Sequence, residues 1–224
     1  MKRRLFEAAA ILSLALSASP GLAKDLPVEW DGLRRVDSKR IDIVYLQPGA
    51  DFRGYTKVMV DPTQVSFRKN WARDYNRDVR DLGGRISERD LQEAVSRGIV
   101  EATDIFTDAW RKGGYEIVTQ PGPDVLRVQT AVANITVNAP EVRTTARSHS
   151  FSEEAGQATL VVEVRDSETN ALLGRVIDQK IVGDNTAALR TAVSNRADFR
   201  DVVERWAQEG VRGMAELKTL SPIR

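Results

Sequence analysis

Residues 113–137 read GGYEIVTQPGPDVLRVQTAVANITV and join the longest predicted helix of the chain to its longest predicted strand. Gly113 and Gly114 end the helical pattern, since glycine readily takes the left-handed conformation that often follows a helix. A short strand is predicted over 115–118, and a break follows at 121–124. Residues 125–137 form the longest strand pattern. Because no side chain in this stretch is chemically reactive, it predicts architecture rather than chemistry.

The helix that leads into this stretch is predicted to begin at Ser87 and to end before Gly113. Ser87 has Asp90 three residues later, which is close to a capping box. Apolar residues then recur every three or four positions and form one stripe: Leu91, Ala94, Val95, Gly98, Ile99, Ala102, Ile105, Phe106, Ala109 and Trp110. A mid-helix glycine costs about 1 kcal/mol relative to alanine. We therefore expect Gly98 to allow a close approach of the helix to the sheet.

The remaining patterns predict further strands and one more long helix. The strands are expected over 40–46, 57–62, 157–166 and 172–181, with a brief continuation at Val65 and Phe67, a turn at 167–170 and a helix over 199–217. The predicted fold class is α+β, a single mostly antiparallel sheet with two long helices packed on one face. We expect one domain over 40–220, which follows an extended segment over 24–39. The structured chain is expected to end at Ser221 and Pro222.

The first 23 residues have the pattern of a secretory signal peptide. Lys2, Arg3 and Arg4 precede an apolar run over 8–18, and small residues end at Ala23, where we place the cleavage. The run is too short to span a bilayer, which needs about 20 apolar residues, although an uncleaved anchor is the alternative. We expect a periplasmic or secreted protein without stable membrane insertion after cleavage.

Composition excludes several classes of function. The chain has no cysteine and one histidine, His149, so neither disulfides nor a cysteine–histidine catalytic pair can form. Removing residues 1–23 leaves a nearly neutral chain, which argues against nucleic-acid binding. No metal-binding or phosphate-binding motif is present, so we expect no cofactor.

One segment suggests a possible partner surface. Residues 68–85 interleave arginines with aspartates, as in Arg73-Asp74 and Arg77-Asp78, which favours a solvated, self-paired loop or short helix over an anion site. Trp71 and Tyr75 lie four residues apart and could stack on the body of the protein. The candidate surface residues are Trp30, Arg68, Trp71, Arg73 and Arg77.

Three segments resemble a known family. They are YTKVMVDPTQVSF at 55–67, GYEIVTQPGPDVLRVQTAVANI at 114–135 and GQATLVVEVRDSETNALLGRVID at 156–178, together with the terminal RADFRDVVERWAQEGVR. They are similar to the domain of unknown function 3313 family of bacterial envelope proteins, and PGPDVL is the most specific piece. The resemblance implies an envelope protein without an assigned activity. Many members are lipoproteins, and this chain lacks the lipid-bearing cysteine.

The sequence leaves several functions open. The first is a non-catalytic envelope accessory that binds another protein, with an oligomeric state that the sequence does not determine. A small-ligand carrier is an alternative, which an apolar pocket of about 300 Å³ or more would favour. A carboxylate-dependent hydrolase would need two converging acids, for instance Asp61 and one of Glu153, Glu154 or Asp166.

Overall fold

The computed structural model describes residues 26–79, 84–137, 150–152, 156–182, 188–190 and 192–224. The described helices are α1 (Trp71–Asp78), α2 (Glu88–Lys112) and α3 (Ala192–Leu220). The described strands are β1 (Glu29–Trp30), β2 (Leu33–Val36), β3 (Ile43–Leu46), β4 (Lys57–Val60), β5 (Gln64–Phe67), β6 (Glu116–Ile117), β7 (Val125–Val137), β8 (Ser150–Ser152), β9 (Gly156–Asp166), β10 (Leu172–Val182) and β11 (Ala188–Arg190). The predicted signal peptide, His149, Glu153 and Glu154 lie outside the described residues.

Nine of these strands form one mixed sheet in the order β1-β2-β3-β10-β9-β7-β4-β6, with β5 also paired to β7. The pairs from β1 to β7 along this order are antiparallel. The pairs of β4 with β6, β4 with β7 and β5 with β7 are parallel. The fold is therefore α+β with one large mixed sheet, and the expectation of a mostly antiparallel sheet did not include this parallel part. Strands β8 and β11 pair separately.

The parallel part follows from the position of helix α2 in the chain. Two strands joined by one connection can pair in parallel only when that connection crosses over and returns the chain to the end of the sheet where the first strand began. Strands β4 and β5 precede α2, whereas β6 and β7 follow it. Helix α2 is thus the crossover, and a prediction based on hairpins between sequence neighbours misses the pairing that it produces.

The sequence signals at both ends of α2 are confirmed. The Ser87 side chain accepts a hydrogen bond from the Asp90 backbone N–H, and the Asp90 side chain accepts one from the Ser87 backbone N–H. A methyl group at Gly98 would lie 3.2 Å from Val65 of β5, so the helix does approach the sheet closely there. At the other end Gly114 alone has the left-handed conformation, with φ of +88°, whereas Gly113 has φ of −74°.

Both long helices contribute to the core cluster that contains Val132 of β7 and Leu160 of β9. The C-terminal tail adds to a neighbouring cluster, because Ile223 is buried there with Phe52 and Leu126. The Ile223 backbone N–H donates to Ala50, and Gly49 donates to the Ile223 carbonyl. The structured chain therefore extends past Ser221 and Pro222, where we expected it to end. Within the described residues, neither long helix combines the length and hydrophobicity needed to cross a bilayer.

Candidate binding site

An apolar cavity of about 200 Å³ lies where α1, α2 and α3 meet strands β5 and β7. The residues that line it are mostly aliphatic or aromatic: Val65, Phe67, Trp71, Ile86, Leu91, Ala94, Gly98, Ala102, Ile105, Val132, Ile135, Val137, Phe199 and Val203. Of the residues that the structure describes, five charged ones also line it, namely Asp90, Arg97, Glu101, Arg196 and Arg200. We refer to this space as the apolar cavity.

The cavity exists because one face of α2 carries small side chains. Ala94, Gly98 and Ala102 are spaced four residues apart, which places them on the same side of the helix. Gly98 brings the helix close to Val65, while the short side chains on either side leave unfilled space. Protein interiors are normally packed without voids of this size. An apolar space at the surface that no described residue fills is therefore a candidate site for an apolar group from another molecule.

Trp71 forms one wall of the cavity. Its ring stacks on Phe67 with a centroid distance of 4.7 Å and an interplanar angle of 17°, and it also contacts Tyr75 at 6.0 Å. Only 6% of Trp71 is exposed. The predicted stacking of Trp71 and Tyr75 on the body of the protein is confirmed, and Trp71 presents its ring to the cavity rather than to bulk solvent.

Charged side chains surround the cavity on the α2–α3 side. Glu101 of α2 forms ion pairs with Arg200 at 3.0 Å and with Arg196 at 3.6 Å. Arg200 also pairs with Glu204 at 2.8 Å. Hydrogen bonds from Arg200 to Glu101 and Glu204 raise the pKa of its guanidinium above the ordinary value for arginine. Both Arg196 and Arg200 are exposed.

A groove between α2 and α3 continues from the cavity. It has a volume of about 1070 Å³. Five residues line both spaces, namely Arg97, Glu101, Ile105, Arg196 and Arg200. Charges of both signs line the rest of the groove, including Asp104, Asp108, Lys112 and Arg212. We call this space the interhelical groove; it gives a bound chain a path out of the cavity.

The predicted surface arginines lie together on and beside α1. Arg68, Arg73 and Arg77 approach the Asp74 carboxylate at 3.9, 3.2 and 3.6 Å. All three arginines are exposed. We call these four residues the α1 arginine cluster. Helix α1 also carries Trp71, so the cluster and the apolar cavity share one short element.

Trp30, the fifth candidate, lies elsewhere. The extended segment predicted over 24–39 contains the β1–β2 hairpin, and Trp30 packs edge-to-face on Tyr45 at 5.7 Å. The Arg175 guanidinium lies 4.4 Å from the Trp30 ring centroid and pairs with buried Glu163 at 2.7 Å. Trp30 therefore belongs to an intramolecular contact on a different part of the sheet, and the structure does not bring it to the cavity.

Asp61 and Asp166, the two acids proposed for a hydrolase that the structure describes, do not converge. Asp61 accepts hydrogen bonds from Arg127 at 2.7 Å and from Gln129 at 2.8 Å. Asp166 instead accepts one from Tyr55 at 2.9 Å, and Tyr55 belongs to the core cluster of Leu126. Successive residues of a strand face opposite sides of the sheet, so Arg127 and Leu126 place the two acids on opposite faces. No group of three or more metal-ligating side chains occurs among the described residues.

The PGPDVL segment at residues 121–126 connects neighbouring elements through hydrogen bonds and an ion pair. The Gly122 backbone N–H donates to the Ser167 hydroxyl at 3.0 Å, and that hydroxyl donates back to the Gly122 carbonyl. The Asp124 carboxylate accepts from the Thr56 hydroxyl at 2.7 Å and pairs with Lys57 at 3.3 Å. Hydrogen bonding from Thr56, followed by Lys57, lowers the pKa of Asp124 below 3.8. The segment thus ties β7 to the β9–β10 turn and to the start of β4.

Sequence reasoning identified Trp71 and the arginines but not the cavity. The available signal was the spacing of Ala94, Gly98 and Ala102, which are small residues on one helix face. They belong to the predicted apolar stripe of α2, and a pattern of apolar positions carries no information about side-chain volume. A cavity also depends on the separation between elements, which periodicity does not give.

Comparison with known proteins gives a family and distant structural likenesses. No curated protein matches the chain significantly. A PelC dodecamer from Paraburkholderia phytofirmans is 11% identical with a TM-score of 0.35, covering 74% of this chain and 96% of that one. A putative neuraminyllactose-binding hemagglutinin homolog from Helicobacter pylori is 10% identical with a TM-score of 0.34, covering 77% and 92%. The model of the family described as protein of unknown function (DUF3313) matches residues 21–209, so the chain belongs to the DUF3313 family.

Proposed function

We propose that this protein is a non-catalytic accessory of the bacterial cell envelope that binds another protein through the apolar cavity. The observation that carries the proposal is the cavity itself, an apolar space of about 200 Å³ between α2, α3 and the sheet that is open among the described residues. Interfaces between proteins are dominated by a few large side chains that fill such pockets. The cavity is therefore the anchor point of the proposed interface.

The volume of the cavity favours a side chain over a whole ligand. Pockets that bind small molecules usually measure about 300–1,000 Å³. A cavity of about 150 Å³ holds one benzene molecule. The apolar cavity, at about 200 Å³, thus suits one aromatic or large aliphatic side chain. For the apolar cavity taken by itself, this comparison supports an anchoring side chain over a whole small ligand.

The interhelical groove supplies room for the rest of the bound segment. It shares Arg97, Glu101 and Arg200 with the cavity, so a side chain in the cavity and a backbone in the groove can belong to one chain. A groove between two helices is a common recognition surface for a peptide segment, which inserts its apolar anchors and leaves its polar face in solvent. The charged walls of the groove fit the polar part of such a segment.

The proposed absence of catalysis rests on the carboxylates. Asp61 is held by Arg127 and Gln129, and Asp166 is held by Tyr55 and Thr169. A pair of acids acting on one glycosidic bond must face each other across it. The placement of these two on opposite faces of the sheet supports a binding function rather than hydrolysis.

Cross-linking in intact cells tests the proposal. A photo-reactive residue is placed at Ser96, which is exposed in the groove, and in a control chain at Gln92, which is exposed on α2 but lines neither space. We expect an adduct with a second protein from position 96 only, and its loss when Ala94→Phe fills the cavity. Equal adducts from both positions, or an adduct that survives Ala94→Phe, would overturn the proposal.

The location is tested separately. We expect the full-length chain to yield a mature protein that starts at Lys24, because the small residues end at Ala23. Cell fractionation followed by amino-terminal sequencing gives the answer. An uncut chain in the cytoplasmic fraction would contradict the envelope location while leaving the binding activity to be judged by cross-linking.

A further inference from the structure

We infer that Glu101, Arg196 and Arg200 form a latch across the entrance from the interhelical groove to the apolar cavity, and that the latch opens when a partner's side chain enters. The inference rests on the proposed function and describes how access to that site is regulated. It is carried by the ion pairs that these three residues make between α2 and α3 at the place where the two spaces meet.

The latch lies at the junction of the cavity and the groove. Each of its three residues lines both spaces, which places their side chains between the two. Glu101 belongs to α2, whereas Arg196 and Arg200 belong to α3, and N–O distances of 3.6 and 3.0 Å join the helices across the junction. A side chain that passes from the groove into the cavity therefore has to displace these ion pairs.

Packing keeps the separation of the two long helices fixed. A methyl group on Gly113, just after α2, would lie 2.5 Å from Val211 of α3, so the chains approach closely there. Phe106 of α2 and Trp206 of α3 are buried in one core cluster. Separating the helices would disrupt this cluster, so the entrance opens by movement of the latch side chains.

The latch has a stable open arrangement because Arg200 has a partner on each helix. Its guanidinium donates to Glu101 at 3.0 Å and to Glu204, one turn further along α3, at 2.8 Å. Arg200 can therefore leave Glu101 and keep Glu204. The Arg196 side chain is 60% exposed and can return to solvent. Ion pairs between exposed groups are weak, so the open and closed arrangements lie close in free energy.

The latch predicts an unusual dependence on salt. Salt screens the ion pairs of exposed groups, so it favours the open arrangement and should tighten the binding of an uncharged peptide. Charge attraction between protein and peptide would give the opposite dependence. Some salts also strengthen the burial of apolar groups, so the same titration of a protein without the latch supplies the baseline.

Binding of an uncharged peptide to the mature protein tests the latch. The probe is a fluorescently labelled peptide with a central tryptophan flanked by glutamines, and its counterpart has a central alanine. With the ring in the cavity and the peptide backbone in the groove, the stem of the tryptophan occupies the junction and holds the latch open. Fluorescence anisotropy measures the affinity in sodium chloride between about 0.05 and 0.5 M.

Neutral variants of the latch supply the comparison. Glu101→Gln should bind the tryptophan peptide about three to ten times more tightly at low salt, and should lose most of the gain on adding salt. Arg196→Gln with Arg200→Gln should give a similar increase, and combining all three changes should add little, because each breaks the same ion pairs. The control is Glu88→Gln, since Glu88 is exposed on α2 and lines neither space. Equal affinities of Glu101→Gln and Glu88→Gln, or the same salt dependence in both, would overturn the latch.

Fluorobenzene separates the latch from the proposed function. It is small enough to lie wholly inside the cavity, because about 150 Å³ holds one benzene molecule. We expect fluorine NMR to show binding of similar strength in the unmodified protein and in Glu101→Gln, and its loss in Ala94→Phe. Binding of fluorobenzene with a peptide affinity that ignores Glu101 would overturn the latch and leave the cavity as the anchor point. No binding of either probe to any variant would remove both proposals.

Discussion

Trp206 donates its indole N–H to the carboxylate of Asp178 at 2.7 Å, and Asp178 is completely buried. The same carboxylate accepts the Asp42 backbone N–H at 3.0 Å and pairs with Lys180 at 2.9 Å. Trp206 lies on α3, Asp178 on β10 and Asp42 before β3. One buried carboxylate thus holds a helix and two neighbouring strands together.

Removing the indole donor should destabilise the protein. Trp206→Phe keeps an aromatic ring in the core but removes the hydrogen bond that the indole N–H donates to the Asp178 carboxylate. We expect the free energy of unfolding to fall by about 1–3 kcal/mol, the usual cost of removing a partner from a buried polar group. Urea unfolding followed by circular dichroism measures it. In an Asp178→Leu background, Trp206→Phe should cost less, and equal costs in both backgrounds would refute the coupling.

The sequence allowed the local elements to be predicted because their signals are local. Ser87 and Asp90 mark the start of α2, the long strand pattern over 125–137 predicts β7, and a polar turn joins β9 to β10. The parallel pairing of β4 and β5 with β7 was missed because it depends on where α2 returns the chain. Periodicity carries no information about such a long-range pairing.

The site was predictable only in part. Trp71 and the α1 arginine cluster are notable by residue type and spacing, and the structure places Trp71 in the wall of the cavity, whereas the cluster lies on and beside the same helix without lining the cavity. Trp30 stood out for the same reason, yet its ring packs against Tyr45 and Arg175. An aromatic residue in such a pattern indicates that its ring is buried, but the sequence does not show whether the ring packs on the same chain or on a partner.

A side chain at Gly113 should destabilise the protein, although the backbone φ of Gly113 is one that any residue can adopt. A methyl group there would lie 2.5 Å from Val211 of α3, where the two long helices approach. We expect Gly113→Ala to lower the free energy of unfolding by about 1–3 kcal/mol, the range for overpacked sites. Thermal or urea unfolding measures the change. Val211→Ala should recover part of the loss, and no recovery would mean that the strain lies elsewhere.

The C-terminal tail should contribute to stability. Ile223 is only 9% exposed and packs in the core cluster of Phe52 and Leu126. Ile223→Ala should reduce the free energy of unfolding by about 2 kcal/mol, at the low end for buried isoleucine because the chain end can adjust. Arg224→Ala is the control, since Arg224 is exposed. Equal stability of the two variants would show that the tail is not docked in solution.

Asp166 should link stability to acid pH. Burial acts to raise its pKa, but hydrogen bonds from Thr169 and Tyr55 outweigh burial and lower the pKa below 3.8. A carboxyl group that is more acidic in the folded state stabilises the fold above its unfolded pKa. That contribution is present above about pH 3.8 and is lost as the pH falls through the folded value.

The measurement is urea unfolding across this acid range. The unmodified protein should lose stability steeply below pH 3.8, and Asp166→Asn should show a shallower slope because it has no carboxyl to titrate. Tyr55→Phe removes one hydrogen bond to Asp166 and should give an intermediate slope. Identical slopes for all three proteins would place the acid sensitivity in other carboxylates.

Filling the apolar cavity should stabilise the protein while it blocks binding. Ala94 is half-buried on α2 and lines the cavity, so a phenylalanine at this position can place its ring in the existing space. We expect Ala94→Phe to raise the free energy of unfolding by about 0.5–2 kcal/mol, as cavity-filling substitutions commonly do. Gln92→Phe, which puts the same ring on an exposed position of the same helix, should give no such gain. Paired urea unfolding curves measure the difference. A loss of stability in Ala94→Phe would mean that the space is already filled in solution, and the cavity would then have no room for a partner's side chain.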